Sequence, residues 1–246
     1  MRVFLQLSYK GTKFFGWQIQ PEQASVQETI EQELTRLNSG KEVKITGCGR
    51  TDTGVHASEY FAHFDQTFEM DPAQLKFKLN NMLPQDIAIQ AVIPIHDEAH
   101  ARFDAISRTY HYFIHRDKAP FIYETSWYRP QELDMDSMNR ACLLLMDHKD
   151  FECFSKVHTD VENFDCNIMH AAWIRSEKGY IFTITANRFL RNMVRAIVGT
   201  MIGVGEGKLS LEEFQAILDS KNRSEAGQSV PARGLFLAGI RYPYIE

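Results

Sequence analysis

The 246-residue sequence has no apolar run that approaches the roughly 20 residues of a membrane-spanning helix. Its N-terminus also lacks the apolar stretch of a signal peptide, and we therefore expect a cytoplasmic protein that does not enter a membrane. It has only four cysteines, and no two of them form a Cys-x-x-Cys pair. This argues against a zinc site, a redox motif or a disulfide framework, so we expect reduced thiols and no bound metal.

An excess of positive charge is also lacking, because the formal net charge is −5 at pH 7. A negative balance does not exclude nucleic-acid binding, since phosphate contact needs only a local basic face. The positions of the arginines are therefore more informative than their number. The hydrophobic and charged fractions, 44% and 24%, are typical of a globular protein with a sizeable core.

Strand-like and helix-like patterns of apolar residues recur in both halves of the chain. Val3 to Tyr9 alternates as a strand, and Ser25–Glu28 is a capping box that opens a helix. Further strands are predicted over residues 42–47, 60–65, 87–93, 108–115, 168–175, 180–186 and 235–242. Further helices are predicted to start at Asp71, Asp134 and Ser210, with a longer one from Phe189 to Val204.

This order of elements, with mostly hairpin connections, predicts the α+β class. We expect two similar α/β lobes, residues 1–105 and 106–246, that share a central, largely antiparallel sheet with helices on one face. No proline- or glycine-rich linker separates the halves. The two lobes are therefore expected to form one continuous unit, in which the N-terminal lobe carries the most distinctive loop.

That loop is Gly47–Ala57, in which three glycines surround Arg50, Thr51 and Asp52. Glycine allows sharp bends and close approach of a ligand to the backbone. The stretch is neither a dinucleotide fingerprint nor a phosphate loop, because it lacks the third glycine of the first and the Gly-Lys-Ser/Thr of the second. On local evidence alone, Asp52 is better explained as a turn residue that caps backbone amides, and His56 as a residue that makes a structural hydrogen bond.

A second group consists of Arg188, Arg191 and Arg195. Their spacing of three and four would place them on one face of the predicted helix, opposite its apolar residues. No Asp or Glu occurs between Glu177 and Glu206. A face with only one sign of charge favours contact with phosphates, although Arg195 could instead turn inward and hold a carboxylate.

A third group lies on the predicted strand 108–115. Arg108, Tyr110 and Tyr112 share one face of it, because side chains alternate along a strand. An aromatic ring beside an arginine can stack on a base that has left its helix. Taken alone, however, the pattern is more typical of an ordinary, half-buried aromatic strand.

Together these groups resemble the motifs of the tRNA pseudouridine synthase A family. Gly49–Ala57 resembles the signature loop of that family, in which the aspartate, here Asp52, is catalytic; Thr53 stands where alanine is commoner. Arg108–Tyr110 resembles a second motif, whose tyrosine packs on the target uracil. Phe189–Arg195 resembles a third, whose final arginine pairs with the aspartate. Smaller similarities extend over nearly the whole chain.

The resemblance implies the pseudouridine synthase fold, with lobes similar to RNA-recognition modules. It also implies that the chain isomerises uridines 38, 39 and 40, in the anticodon stem-loop of tRNA, after the uridine is flipped out. Asp52 and Arg195 are then the catalytic residues, whereas Tyr110 and Leu235 bind the substrate. The candidates for RNA contact are Arg50, Arg102, Arg188 and Arg191. The partner is tRNA and the enzyme a homodimer; no cofactor or metal is expected, because the reaction includes no redox step, hydrolysis or group donor.

Two other functions remain open from the residues alone. The first is a non-catalytic RNA-binding protein with the same lobes, which would be indifferent to substitution of Asp52. The second is an unrelated carboxylate enzyme such as a glycoside hydrolase, which usually has two carboxylates facing one bond. Asp52 has no second acidic residue nearby in the sequence. Release of tritium from C5-labelled uridine would separate the three functions.

Overall fold

The structure is a computed structural model that describes residues 1–156 and 162–245. Within them the chain forms two compact units: residues 1–106 together with the end of the chain from Leu237, and residues 107–236. The division into lobes 1–105 and 106–246 stays a prediction, because compact units are defined by contacts whereas domains are defined by independent folding. Among the described residues, no helix is long and apolar enough to span a membrane.

Antiparallel strands and two helices form the first unit. The strands are β1 (Arg2–Tyr9), β2 (Thr46–Gly47), β3 (His56–Asp65) and β4 (Ile87–Ile95). The helices are α1 (Val26–Leu37) and α2 (Pro72–Met82). Strand β1 lies between β3 and β4 and is antiparallel to both, while β2 is antiparallel to β3. The two helices start where predicted, because the side chains of Ser25 and Asp71 accept hydrogen bonds from N–H groups of the first turn.

The second unit also consists of strands and helices, in a different order along the chain. Its strands are β5 (Ser107–His115), β6 (Trp127–Tyr128), β7 (Ile168–Arg175) and β8 (Gly179–Ala186). Its helices are α3 (Met135–Asp147), α4 (Met193–Gly205) and α5 (Leu211–Ser220). Strand β8 is antiparallel to both β5 and β7, and the short β6 is parallel to β5. Helix α5 opens with a complete capping box between Ser210 and Glu213, as predicted.

The last strand, β9 (Leu235–Arg241), has its residues from Leu237 onward in the first unit. There it lies beside β3, since Ile240 N donates a hydrogen bond to Glu59 Oε1 over 2.9 Å. The chain then covers one face of β1: the rings of Tyr242 and Tyr244 meet the buried ring of Phe4 edge-on. The apolar core of this unit therefore lies on both faces of β1.

Helix α4 is the most deeply buried helix of the second unit. Ala196, Ile197, Val198 and Met201 are all fully buried, which covers most of the helix circumference. A helix that is apolar on nearly all sides is held by packing against its surroundings and not by an exposed polar face. Residues at its few polar positions are thus placed by the core of the unit.

The α+β class and the largely antiparallel pairing are confirmed within each unit. The strand predicted over residues 42–47 is wrong in its first part, because only β2 is a strand. The backbone of that part is bonded to side chains of α1. Val43 N donates to Thr35 Oγ1 over 3.1 Å, and Ile45 N donates to Glu31 Oε1 over 3.0 Å.

Two predicted boundaries also need correction. Strand β3 starts at His56, before the predicted start at Tyr60, so the preceding loop is shorter than expected. The helix predicted from Phe189 starts at Met193. The reason is Asn192, whose φ of 66° lies in the left-handed region and cannot continue a right-handed helix.

Candidate active site

Asp52 lies in the loop of residues 48–55, which joins β2 to β3 in the first unit. The residue before it is firmly held: the hydroxyl groups of Thr51 and Tyr9 are hydrogen-bonded over 2.8 Å, and Thr51 O accepts from Trp17 N over 3.4 Å. Thr51 is buried, whereas Asp52 itself is partly exposed. The backbone next to Asp52 is therefore anchored to two other segments of the unit.

The residues after Asp52 form a tight turn. Val55 N donates to Asp52 O over 3.1 Å, and Gly54 has a φ of 76°, a conformation that favours glycine. Gly54 N also donates to Phe14 O over 3.3 Å. The turn is thus closed on itself and tied to the segment that follows β1, which leaves the carboxylate of Asp52 on a rigid support.

Close backbone contacts explain the glycines of that supporting segment. A Cβ atom on Gly11 would lie 2.0 Å from Val55 O, and one on Gly16 would lie 2.3 Å from Thr51 O. Gly16 also has a φ of 90°. Only glycine permits this approach, so both residues belong to the architecture of the Asp52 loop.

Aromatic side chains support the loop from one side. The rings of Trp17 and Tyr60 are stacked with centroids 4.0 Å apart, and Tyr9 meets Tyr60 edge-on. The hydroxyl of Tyr60 donates a hydrogen bond to Gly49 O. None of these rings was predicted to belong to the site. The glycine- and aromatic-rich stretch 10–21 could have indicated Trp17, whereas Tyr9 and Tyr60 lie on strands outside it.

The structural role predicted for His56 is confirmed. Its Nδ1 accepts a hydrogen bond from Gly11 N over 3.0 Å, and the residue is fully buried as the first residue of β3. His56 therefore joins the end of the Asp52 loop to the start of the glycine-containing segment.

Tyr110 lies on β5 in the second unit and is partly exposed. Its ring meets that of Phe189 edge-on, with the centroids 5.1 Å apart and the planes at 89°. On the same strand, Arg108 Nη1 donates to Asn187 O over 2.9 Å. The second and third sequence motifs are therefore in direct contact through the side chains of Tyr110 and Phe189.

Tyr112, two residues further on, is a core residue. Burial raises the pKa of its phenol well above the usual range, and its hydroxyl donates to Pro231 O over 2.9 Å. The short 3-10 helix Ala232–Gly234, which follows Pro231, packs on the ring of Tyr112, since a Cβ on Gly234 would lie 2.6 Å from Tyr112 Cζ. This contact holds the segment that leads to Leu235, which is itself buried.

The prediction that Arg188, Arg191 and Arg195 share one helix face is wrong. Only Arg195 belongs to α4, because the helix starts at Met193. Arg188 is partly buried and Arg191 is exposed, and both lie in the irregular segment before the helix. The periodicity of three and four residues therefore does not bring these three guanidinium groups together on a helix.

Arg195 lies in the first turn of α4 and is partly buried. Its Nε donates to Val230 O over 2.8 Å, and Val230 N donates to Arg195 O over 3.2 Å. Both the side chain and the backbone carbonyl of Arg195 are thus hydrogen-bonded to the backbone of Val230. Val230 binds Nε, one of the three nitrogens of the guanidinium group.

Two further candidates for RNA contact lie in the first unit and are exposed. Arg50 lies in the same loop as Asp52. The guanidinium of Arg102 lies over the ring of Phe103, with its carbon 5.6 Å from the ring centroid. Among the described residues, no group of three or more His, Cys, Asp or Glu side chains could hold a metal ion.

Comparison with known proteins identifies the family. A sequence model of the family described as tRNA pseudouridine synthase matches residues 7–104 and 141–243. The chain is 49% identical over 243 residues to tRNA pseudouridine synthase A of Parabacteroides distasonis, a match that covers 98% of this chain and 96% of that protein. It is 47% identical over 244 residues to tRNA pseudouridine synthase A of Bacteroides fragilis, again covering 98% and 96%. For tRNA pseudouridine synthase A of Geobacillus sp. the identity is 37% over 243 residues, covering 98% of each. The chain belongs to the tRNA pseudouridine synthase family.

Proposed function

We propose that this chain isomerises uridine to pseudouridine in the anticodon stem-loop of tRNA, with Asp52 as the catalytic carboxylate. The observation that carries the proposal is the support of the Asp52 loop. It is held through Thr51 on one side and through Gly54 and Val55 on the other. A catalytic group must be held within a fraction of an ångström of its productive position, and a loop anchored on both sides of Asp52 meets that need.

The reaction detaches uracil from its ribose, rotates the base and rejoins it through C5. The C–N glycosidic bond breaks and a C–C bond to C5 forms, while C5 gives up its proton to solvent and the freed ring nitrogen takes up another. The product is thus an isomer of the substrate, no oxidant, water or group donor is consumed, and the proposal needs no cofactor. The target uridine must first leave the stacked RNA, which costs a few kcal/mol. Stacking on an aromatic ring offsets part of that cost, at about 1–3 kcal/mol per base.

We assign that ring to Tyr110, whose edge-on contact with Phe189 orients it on β5. Arg195 is assigned as the partner of the catalytic carboxylate, because a guanidinium can bind a carboxylate through two parallel hydrogen bonds. Leu235, buried at the start of β9, is assigned as an apolar contact of the substrate. These roles follow the family resemblance of the three motifs.

Arg50, Arg102, Arg188 and Arg191 are proposed to contact the phosphates of tRNA. Each phosphate contact releases counterions, so binding should weaken with rising salt concentration. Replacing one of these arginines should therefore reduce the slope of log K against log salt by about one unit. A homodimer in the cytoplasm completes the proposal; sedimentation equilibrium of the purified chain, which yields its mass in solution, tests the dimer.

The decisive experiment is release of tritium from C5-labelled uridine in tRNA. The wild-type chain should release tritium, and Asp52→Asn should not, since this substitution keeps the shape and removes the charge. Asp71→Asn is the matched control, because asparagine caps a helix as well as aspartate does. Binding of tRNA, measured by filter retention, should survive in both variants.

Each alternative has its own outcome in this experiment. A wild-type chain that neither releases tritium nor binds tRNA would favour an unrelated carboxylate enzyme. A wild-type chain that binds tRNA but releases no tritium would be a non-catalytic RNA-binding protein. Full turnover by Asp52→Asn would overturn the assignment of the catalytic carboxylate. For the stacking role, Tyr110→Ala should lose activity, and Tyr110→Phe reports separately on the hydroxyl group.

A further inference from the structure

The loop of residues 226–230, after α5, lies directly on the backbone of α4. A Cβ on Gly199 would lie 1.8 Å from Gln228 O, and a Cβ on Gly227 would lie 2.9 Å from backbone atoms of Gly199 and Thr200. Two glycines from distant parts of the sequence thus permit contact between two main chains. This contact lies one turn of helix after Arg195, entirely within the second unit.

Hydrogen bonds hold the loop in this position. Thr200 is fully buried; its Oγ1 donates to Ala196 O and accepts from Gly227 N, both over 2.9 Å. Three residues further along the loop, Val230 forms its reciprocal bonds with Arg195 through both its N–H and its carbonyl group. The loop is therefore bonded to α4 at both of its ends.

The conformation of the loop itself depends on Arg223. Its Nη1 donates to Gly227 O over 3.1 Å and to Ala226 O over 3.3 Å, and its Nη2 donates to Ser229 Oγ over 3.2 Å. Ser229 Oγ also accepts from Asn192 Nδ2 over 2.5 Å. One guanidinium thus joins both ends of the loop, and Asn192 ties it to the residue that precedes α4.

We infer that Arg223 and the loop 226–230 act as a positioning device for Arg195. The carbonyl of Val230 is placed by the contact with Gly199 and by Arg223, and it fixes Nε of Arg195. Because the guanidinium is planar and rigid, fixing Nε also fixes the direction of its two terminal nitrogens. Arg223 touches no substrate in this inference; it acts through Val230 and Arg195.

The inference rests on the proposed role of Arg195 as the partner of the catalytic carboxylate. If that role holds, movement of the guanidinium by about 1 Å should reduce kcat by up to about 100-fold. KM for tRNA should change less than kcat, since neither Gly199 nor Arg223 is among the proposed phosphate contacts. Partial unfolding would also lower the apparent kcat without a change in KM, because it reduces the amount of active protein. The comparison of kcat therefore uses variants whose melting temperature shows that they are folded at the assay temperature.

The test compares Gly199→Ala with Gly203→Ala on the same helix. In both, alanine gains helix propensity of up to about 1 kcal/mol. At Gly199 the new methyl meets the backbone oxygen of Gln228, so the loop must move; at Gly203 it lies 2.8 Å from Leu209 Cδ1, the end of a flexible side chain. Gly203→Ala should keep wild-type kcat and KM, and Gly199→Ala should lower kcat at least about 10-fold. Arg223→Lys, which removes the planar fork and adds no atom to the packed contact, is the second variant.

A direct readout separates this inference from the proposed function. In protein labelled with ¹⁵N-arginine, the Nε–Hε signal of Arg195 is assigned by its loss in Arg195→Lys. The Hε proton should exchange slowly with water in the wild type and in Gly203→Ala. It should exchange fast in Gly199→Ala and Arg223→Lys. Retained slow exchange in both of the latter variants, or fast exchange with unchanged kcat, would overturn the positioning role. Full activity of Arg195→Lys would instead overturn the proposed role of Arg195, and the signal would still report whether the loop fixes Nε.

Discussion

The backbone N–H of Gly11 donates a hydrogen bond to Nδ1 of His56 over 3.0 Å, at a place where both residues are buried. His56 is the first residue of β3, directly after the loop that carries Asp52. Gly11 opens the short 3-10 helix Gly11–Lys13 that follows β1. One hydrogen bond thus joins the start of the supporting segment to the end of the candidate catalytic loop.

Replacing His56 by leucine should destabilise the chain. Leucine is similar in size to histidine but cannot accept the hydrogen bond from Gly11 N–H. The loss of a buried hydrogen-bond partner costs about 1–3 kcal/mol. The free energy of unfolding in urea measures the change. His170→Leu, at an exposed residue of β7, should stay within about 0.5 kcal/mol of the wild type. Equal stability of the two variants would contradict the structural role of His56.

Gly16→Ala should reduce both stability and activity. The residue has a φ of 90°, and its new Cβ would lie 2.3 Å from Thr51 O, so the backbone beside Asp52 must shift. We expect at least about a 10-fold loss of kcat in the tritium assay. Gly40→Ala is the matched control: its φ is 84°, but no atom lies within 4 Å of the added Cβ. It should lose about 1 kcal/mol of stability and keep full activity, and equal activity of the two variants would exclude the proposed link to Asp52.

Stability should fall on acidification through the titration of His63. Burial, followed by the nearby His100 and Arg2, lowers the pKa of His63 to about 4. The carboxylates of Asp65 and Asp104 oppose this change in pKa. The unfolded chain therefore binds the proton first, and stability is lost as the pH falls from about 6.5 towards 4. The titration of His63 alone should lower the free energy of unfolding by about 2 kcal/mol between pH 7.5 and pH 5.

Urea unfolding at these two pH values measures the effect. In His63→Phe the free energy of unfolding should differ less between the two pH values than in the wild type. The variant also loses the hydrogen bond from Ala101 N to Nδ1 of His63, which lowers its stability at both pH values. An unchanged difference would show that His63 does not titrate in this window. The histidine signals in NMR spectra supply an independent check, since that of His63 should titrate near pH 4.

The four thiols should be inert in the native protein. Cys48, Cys142, Cys153 and Cys166 are all reduced and buried. Burial raises the pKa of Cys142 and Cys153 to about 12 and that of Cys166 to about 11, and the thiolate is the reactive form. A disulfide reagent at pH 8 should label them only after denaturation. Glu177→Cys, at an exposed turn, should react at once and show that the reagent is active; fast labelling of the wild type would contradict the burial.

The elements that the sequence predicts best are those determined by residues close together in the chain. Helices start after Asp71, Asp134 and Ser210 because each side chain caps backbone groups only two or three residues away. The alternation of Val3 to Tyr9 predicts β1 for the same reason, since the period of two is a local property of a strand. The Asp52 motif is also contiguous, but the family was predicted from this motif together with those that contain Tyr110 and Arg195.

Predictions failed where a distant residue decides the outcome. The periodicity of residues 189–204 suggests one helix, but Asn192, whose side chain is bonded to Ser229, takes a left-handed conformation and delays the start to Met193. The alternating residues 42–45 suggest a strand, but α1 supplies the partners of their backbone. A hydrophobic pattern reports which residues are buried and not which groups their backbone will bind.

By itself, then, the sequence determined the α+β class, the starts of α1, α2, α3 and α5, and the motif with Asp52, because all of these depend on neighbours along the chain. Only the tertiary structure decided that Gly11 and Gly16 brace the Asp52 loop and that Val230 holds the guanidinium of Arg195. These contacts join segments far apart in the sequence. A glycine in the sequence shows that a close approach is possible, and only the folded chain determines which backbone makes it.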